Sequence, residues 1–167
     1  MALLGLVIFS KKVKVMSDFK KIFSDLDFAK FYPVKDSQFA KKTYIVGQIG
    51  EEKLEYSIIL YVAEKLIGKI AFVICEENYL FVTNLENCSI DPQTGLTQFK
   101  GVGTALLNCV KLFLKEIGGK KIRLTAQTPF STALPKNHNL VEFYQKQGFE
   151  KTDEKMYSDS IRMEWLL

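Results

Sequence analysis

Histidine is nearly absent from this 167-residue chain, where His138 stands alone. Cysteine is sparse as well, and Cys75, Cys88 and Cys109 form no C-x-x-C pair. Together these shortages argue against a zinc site or a disulfide scaffold, so no metal is expected and the thiols read as buried groups in a reducing compartment. Long apolar runs are missing too. The apolar start at Ala2–Phe9 is far shorter than a membrane span and lacks the basic flank and cleavage site of a signal peptide. An N-terminal strand, a cytoplasmic location and no membrane contact are therefore expected. Lys/Arg clusters interleaved with aromatics are lacking, Lys41-Lys42 and Lys120-Lys121 read as solvated pairs, and nucleic acid is not an expected partner. No repeat or low-complexity linker interrupts the chain.

What is present describes one globular domain, 1–167. Hydrophobic residues make up 47% and charged residues 25%, a balance that supports a core rather than disorder. The net charge of +4 is mild and compatible with an anionic ligand without pointing to one. Leu3–Phe9 and Lys12–Val15 both have strand character. Ser17 is a good N-cap for a helix over Asp18–Lys30, with Phe19, Ile22, Phe23 and Leu26 at helical spacing. From Thr43 the period shortens. Thr43–Gln48, Leu54–Ala63, Leu66–Cys75 and Tyr79–Ile90 read as strands, the last three as an antiparallel meander turning at Glu64-Lys65 and Glu76-Glu77-Asn78. Asp91–Thr97 is a loop. A helix follows, with Val102, Ala105, Leu106, Cys109, Val110, Phe113 and Ile117 on one stripe and Gly118-Gly119 at its end. Lys121–Ala126 is then a strand, parallel to Tyr79–Ile90 by the crossover rule. Asn139 and Glu142 suit a capping box for a helix reaching Gln147, and Glu150–Lys155 with Ser160–Leu167 closes the chain as a hairpin.

The stretch Gln98-Phe-Lys100-Gly101-Val102-Gly103-Thr104 organises the rest. Two glycines one residue apart permit a tight turn and close backbone approach, and the helix they open presents free N–H groups, so the stretch reads as a phosphate site. The spacing fails the P-loop pattern, because Gly95 to Gly101 is one residue too long and no Lys-Ser/Thr follows. It fits the dinucleotide fingerprint poorly, with Leu106 where a small residue belongs. Gln98-x-x-Gly101-x-Gly103 instead resembles the coenzyme A pyrophosphate loop of the GCN5-related N-acetyltransferases, Q/R-x-x-G-x-G/A.

A second segment strengthens the resemblance. Asn137-His-Asn-Leu-Val-Glu-Phe143-Tyr144-Gln-Lys146-Gln-Gly148-Phe149 is similar to that family's N-x-x-A-h-x-F-Y-E-K-x-G-F signature, where h is hydrophobic, with Leu140 for Ala and Gln145 for the acid. Val62–Phe72 looks like the family's second hairpin, and the likeness covers about 54–167. It implies an α/β (α+β) acyl-CoA N-acyltransferase fold with a mixed, mainly antiparallel sheet of six to seven strands flanked by helices. It also implies acetyl-CoA as co-substrate, a small-molecule or peptide amine as acceptor, and a monomer or homodimer. The pantetheine arm would enter a gap where the fourth strand, bulged near Asn87–Ile90, leaves the fifth. Ser89 and Ile90 would offer it backbone groups, one N–H doubling as an oxyanion donor. Gln98, Lys100, Gly101, Val102, Gly103, Thr104 and Asn137 would bind the cofactor. A deprotonated amine attacks the thioester directly, with no covalent enzyme intermediate, so no cysteine is assigned as nucleophile. Tyr144 matches the position of the general acid for the leaving sulfur, and Glu86 that of the base.

Bland readings stand beside these roles. Tyr144 suits a core position on an amphipathic helix, Glu86 and Lys100 suit solvated surfaces, Asn137 suits a helix-entry turn, and Asn84 is positioned to orient a water in place of a carboxylate base. His138 reads as a surface loop residue. The segments 93–97 and 127–136 are longer than the compact family pattern and are unassigned. A coenzyme A-binding regulatory or interaction module with little turnover is the alternative from a different class, and a nucleotide-binding protein is a third.

Overall fold

The computed structural model describes residues 18–31, 43–50, 55–91, 93–127, 140–157 and 160–167. Both candidate strands before residue 18, the Asn139 end of the capping box, and Asn137 and His138 lie outside the described residues.

Seven strands form one sheet: β1 (Thr43–Ile49), β2 (Glu55–Val62), β3 (Lys65–Ile74), β4 (Leu80–Asn87), β5 (Lys121–Gln127), β6 (Glu150–Tyr157) and β7 (Ser160–Leu166). Their spatial order is β1-β2-β3-β4-β5-β7-β6, with β4 and β5 parallel and every other neighbouring pair antiparallel. This is the mixed, mainly antiparallel sheet expected. The β2–β3 turn sits one residue earlier than Glu64-Lys65, because Ala63 takes a left-handed φ of 54° and Lys65 already pairs with Val62.

The helix α2 (Val102–Glu116) buries its whole anticipated stripe, together with Leu107 and Leu114, against β2 to β5. It ends as the two glycines suggest: Gly118 adopts φ 67°, and the Gly119 N–H closes on the Leu114 carbonyl at 2.9 Å. Helix α3 (Leu140–Lys146) lies against β5.

The first helix is shorter than its sequence pattern suggests. Helix α1 spans 18–25, the chain breaks, and a 3-10 turn follows at Ala29–Phe31. Asp25 and Asp27 are poor helix formers, and the break lets Phe28 tuck back onto Phe23 with ring centroids 5.6 Å apart. Phe23 meets Tyr56, Phe72 and Phe113 edge-on at 5.0, 6.1 and 5.2 Å. This aromatic knot clamps α1 and α2 on the same sheet face, at about 1 kcal/mol per ring pair beyond the area buried.

Candidate active site

The site begins with one extra residue in β4. Phe72 pairs with Val82, but Ala71 pairs with Asn84, so Thr83 is bulged out. Because side chains alternate along a strand, a one-residue slip exchanges the two faces. Leu80 and Val82 enter the core before the bulge. After it, Leu85 packs against the core, while Asn84 and Glu86 face outward. The bulge thus falls at Thr83 and not near Asn87–Ile90, and it is what turns the Glu86 carboxylate out of the core.

The same region parts the sheet. β4 and β5 pair only at Leu80↔Ile122 and Phe81↔Arg123. From Val82 onward the β4 edge facing β5 has no strand on it, which leaves a row of backbone donors and acceptors for an extended ligand.

Beyond β4 the chain makes a compact hairpin. Asp91 accepts from the N–H groups of Gln93 and Thr94, its own N–H bonds the Leu96 carbonyl at 2.9 Å, and Ile90 bridges Thr97. Those N–H donors hold the Asp91 carboxyl below its ordinary pKa, with Lys65 adding a smaller electrostatic pull. The inserted residues therefore fold on themselves. The hairpin delivers the chain to Gly101, the N-cap of α2, whose φ of 81° is left-handed and suits glycine. Gly101 has no side chain to cap the helix, and no acidic residue occupies the first turn. No side chain caps the first-turn N–H groups of Val102, Gly103 and Thr104. With the helix dipole behind them, these N–H groups favour negative charge at the end of the gap.

Gly103 joins the two sequence motifs. A Cβ built there meets the Phe143 ring of α3, with Cζ at 2.9 Å. Phe143 in turn lies 5.1 Å from the Tyr144 ring, centroid to centroid. Tyr144 is 6% exposed and makes an edge contact with Phe149 at 5.8 Å. Its hydroxyl has no hydrogen-bond partner among the described residues, and burial pushes its pKa up to about 12. Glu86, on the β4 arm of the gap, is held from both sides along its strand. Asn84 Nδ2 donates to Oε1, and the Cys88 thiol lies 3.9 Å from Oε2. Burial, and then the Glu86 charge, raise the pKa of Cys88. Burial raises that of Cys109 to about 12. Both thiols are therefore neutral and poorly nucleophilic.

No family model and no curated protein matches this sequence. Solved structures do match. The chain is similar to the PaiA N-acetyltransferase from Thermoplasma acidophilum in complex with coenzyme A, at 21% identity and a TM-score of 0.51 over 68% of this chain. That match spans 61% of the Thermoplasma chain. It is also similar to a GNAT family acetyltransferase from Elizabethkingia anophelis with acetyl-CoA bound, at 16% identity and a TM-score of 0.53, over 75% of this chain and 99% of the other. The chain has the GNAT acyl-CoA N-acyltransferase fold.

On that fold the residues singled out from sequence fall as follows. Gln98, Lys100, Gly101, Val102, Gly103 and Thr104 form one continuous entry into α2, with Lys100 exposed and Val102 fully buried over Gly68. Ser89 sits at the mouth of the gap, but its backbone is already engaged. Its N–H donates to Asn87 Oδ1 at 3.0 Å and its carbonyl accepts from the Gln98 N–H at 2.9 Å. The Ser89 hydroxyl is buried 2.6 Å from Asn87 Oδ1 and 3.2 Å from the Phe99 carbonyl. Ile90 differs: its bridge to Thr97 is closed by the bonds of its neighbours Asp91 and Ser89, so the bridge does not use its own backbone groups. Tyr144 and Glu86 belong to opposite arms of the gap. In sequence Phe143 is a motif match with no stated partner, and the structure supplies one, since its ring packs over Gly103. Lys65, expected only as a turn residue, opens β3 with its Nζ 3.1 Å from Gln98 Oε1.

Proposed function

We propose that this protein is an N-acetyltransferase that moves an acetyl group from acetyl-CoA to a primary amine by direct attack in a ternary complex. The observation that carries the reading is the parting of β4 from β5 beside the uncapped N-terminus of α2. The open edge suits the amides of a pantetheine arm, and the helix amides suit the diphosphate at its end. Gln98, Lys100 and the turn from Gly101 to Thr104 would hold that diphosphate. The sulfur ester then lies in the gap, where the Ile90 N–H is available to polarise its carbonyl.

The amine nitrogen forms its bond to the acetyl carbon, the C–S bond breaks, and coenzyme A leaves as a thiolate. The amine's surplus proton passes to Glu86, directly or through water. Tyr144 acts at the sulfur. Burial raises the phenol's pKa to about 12, so it keeps its proton at neutral pH and meets the leaving sulfur as a donor. Tyr144 is thus the general acid for the developing thiolate. Its burial guarantees that the donor form is present throughout the neutral range.

The acceptor is a small-molecule or peptide amine. The test is an amine panel with acetyl-CoA and detection of the released thiol. At least one primary amine should accelerate thiol release severalfold or more over the amine-free rate. Slow hydrolysis that no amine stimulates, alongside intact coenzyme A binding, would instead identify a cofactor-binding module.

A further inference from the structure

The β2–β3 hairpin reaches the cofactor loop. Ala63 turns the chain with a left-handed φ, so that Lys65 opens β3 next to the 88–98 segment, and the Cys88 N–H bonds the Ile67 carbonyl at 2.9 Å. Lys65 Nζ stands 3.1 Å from Gln98 Oε1. An ammonium only donates, so the amide oxygen of Gln98 must face it. That fixes which way the amide lies, and the Gln98 NH2, with two donors, points away from Lys65. The Gln98 backbone is pinned independently by its N–H bond to the Ser89 carbonyl. A side chain with several free torsions is thus fixed at both ends, three residues before the glycine that caps α2. Asp91, the acid at the base of the same hairpin, also feels the Lys65 charge. Lys65 therefore also offsets the Asp91 charge beside the entry into α2.

We propose that Lys65 is a positioning residue for the diphosphate, holding the Gln98 amide so that its NH2 donates to a phosphate oxygen. The proposal rests on the reading of residues 98–104 as a coenzyme A diphosphate site. It makes the two side chains a unit: without the ammonium the amide is free to rotate, and without the amide the ammonium has nothing to orient.

The test is calorimetric titration of coenzyme A into the wild type, Lys65→Met, Gln98→Leu, the double variant and Lys65→Arg, with a thermal melt of each. Losing one hydrogen bond to a charged group weakens binding about tenfold or more. Each single variant should lose about that factor, and the double variant should lose no more than either single one. Lys65→Arg, also donor-only, should bind within about twofold of wild type, and melting temperatures should stay together. Multiplied losses in the double variant would mean that Lys65 meets the phosphate itself and would overturn the positioning role. So would unchanged affinity in Lys65→Met, or a melting temperature that falls while affinity holds. Failure of the wild type to bind coenzyme A would overturn the site reading itself, an outcome distinct from binding with multiplied losses.

Discussion

Gly103→Ala separates two reasons for a glycine at the second position of α2. One is close approach by a ligand. The other is the Phe143 ring, whose atoms are the nearest neighbours of a Cβ built at that position, with Cζ at 2.9 Å. Carbon atoms settle at about 3.5–4.0 Å, so the ring must retreat by roughly 0.6–1 Å. In stability the effects nearly cancel. Replacing glycine with alanine in a helix gains about 1 kcal/mol, and overpacking costs about 1–3 kcal/mol. The net is a loss of roughly 0–2 kcal/mol. Catalysis has no such compensation, because Phe143 is covalently next to Tyr144 and packed on it. A misplacement of this size at a reacting group lowers turnover by up to about 100-fold. Gly103→Ala should therefore reduce kcat by one to two orders of magnitude, while affinity for coenzyme A changes little. Trimming the ring in Gly103→Ala/Phe143→Leu should restore much of the lost kcat. The assay is thiol release with an accepted amine, paired with a titration of coenzyme A. Weakened cofactor binding at unchanged kcat would refute the argument, as would a double variant no better than the single one.

Gly68→Ala should be costly for the fold, because its Cβ would overlap Val102 Cγ1 and stand 3.3 Å from the Glu86 carbonyl, with backbone on one side. Overpacking of about 1–3 kcal/mol lowers the melting temperature by roughly 3–10 °C in a chain of this size. An unchanged melt would contradict the packing of β3 on α2. Glu86→Gln should lose the acidic limb of the pH–rate profile if the carboxylate takes the amine proton, and a limb identical to wild type would remove it from that role. In alkali, Cys109 and Tyr144 keep their protons in the native state up to about 12, above their ordinary values of 9.0 and 10.0. Between those limits the unfolded chain binds fewer protons than the folded one, so stability must fall as pH rises. Thermal melts should decline from about pH 9 upward, and Tyr144→Phe should decline less steeply above pH 10. Parallel curves would show that the phenol is not buried.

Much of the fold was legible because its cues are periodic. The α2 stripe from Val102 to Ile117 repeats over four turns, and alternation marks the strands well enough to put the β2–β3 turn within one residue. The Thr83 bulge was not legible, since one extra residue in a strand of ordinary composition leaves no mark on its period, and only the partner strand reveals it. Helix α1 is shorter than its apolar spacing suggests because Asp25 and Asp27 weaken it locally and the Phe28–Phe23 contact, which spacing does not encode, holds the break. At the site, the glycines and Tyr144 stood out by motif. The reason for Gly103 lay 40 residues downstream at Phe143, and the Lys65–Gln98 contact spans 33 residues. Such long-range pairs have no expression in local sequence.

The proposed catalysis requires the uncapped amides at the start of α2 to hold a diphosphate. Titrating coenzyme A, pantetheine and ATP separately into the native chain tests this directly. The account predicts one coenzyme A bound per chain, with pantetheine, which lacks the diphosphate, weaker by about two orders of magnitude or more, since several charge-assisted hydrogen bonds are lost. Coenzyme A and pantetheine binding equally well, or ATP binding more tightly than coenzyme A, would contradict it.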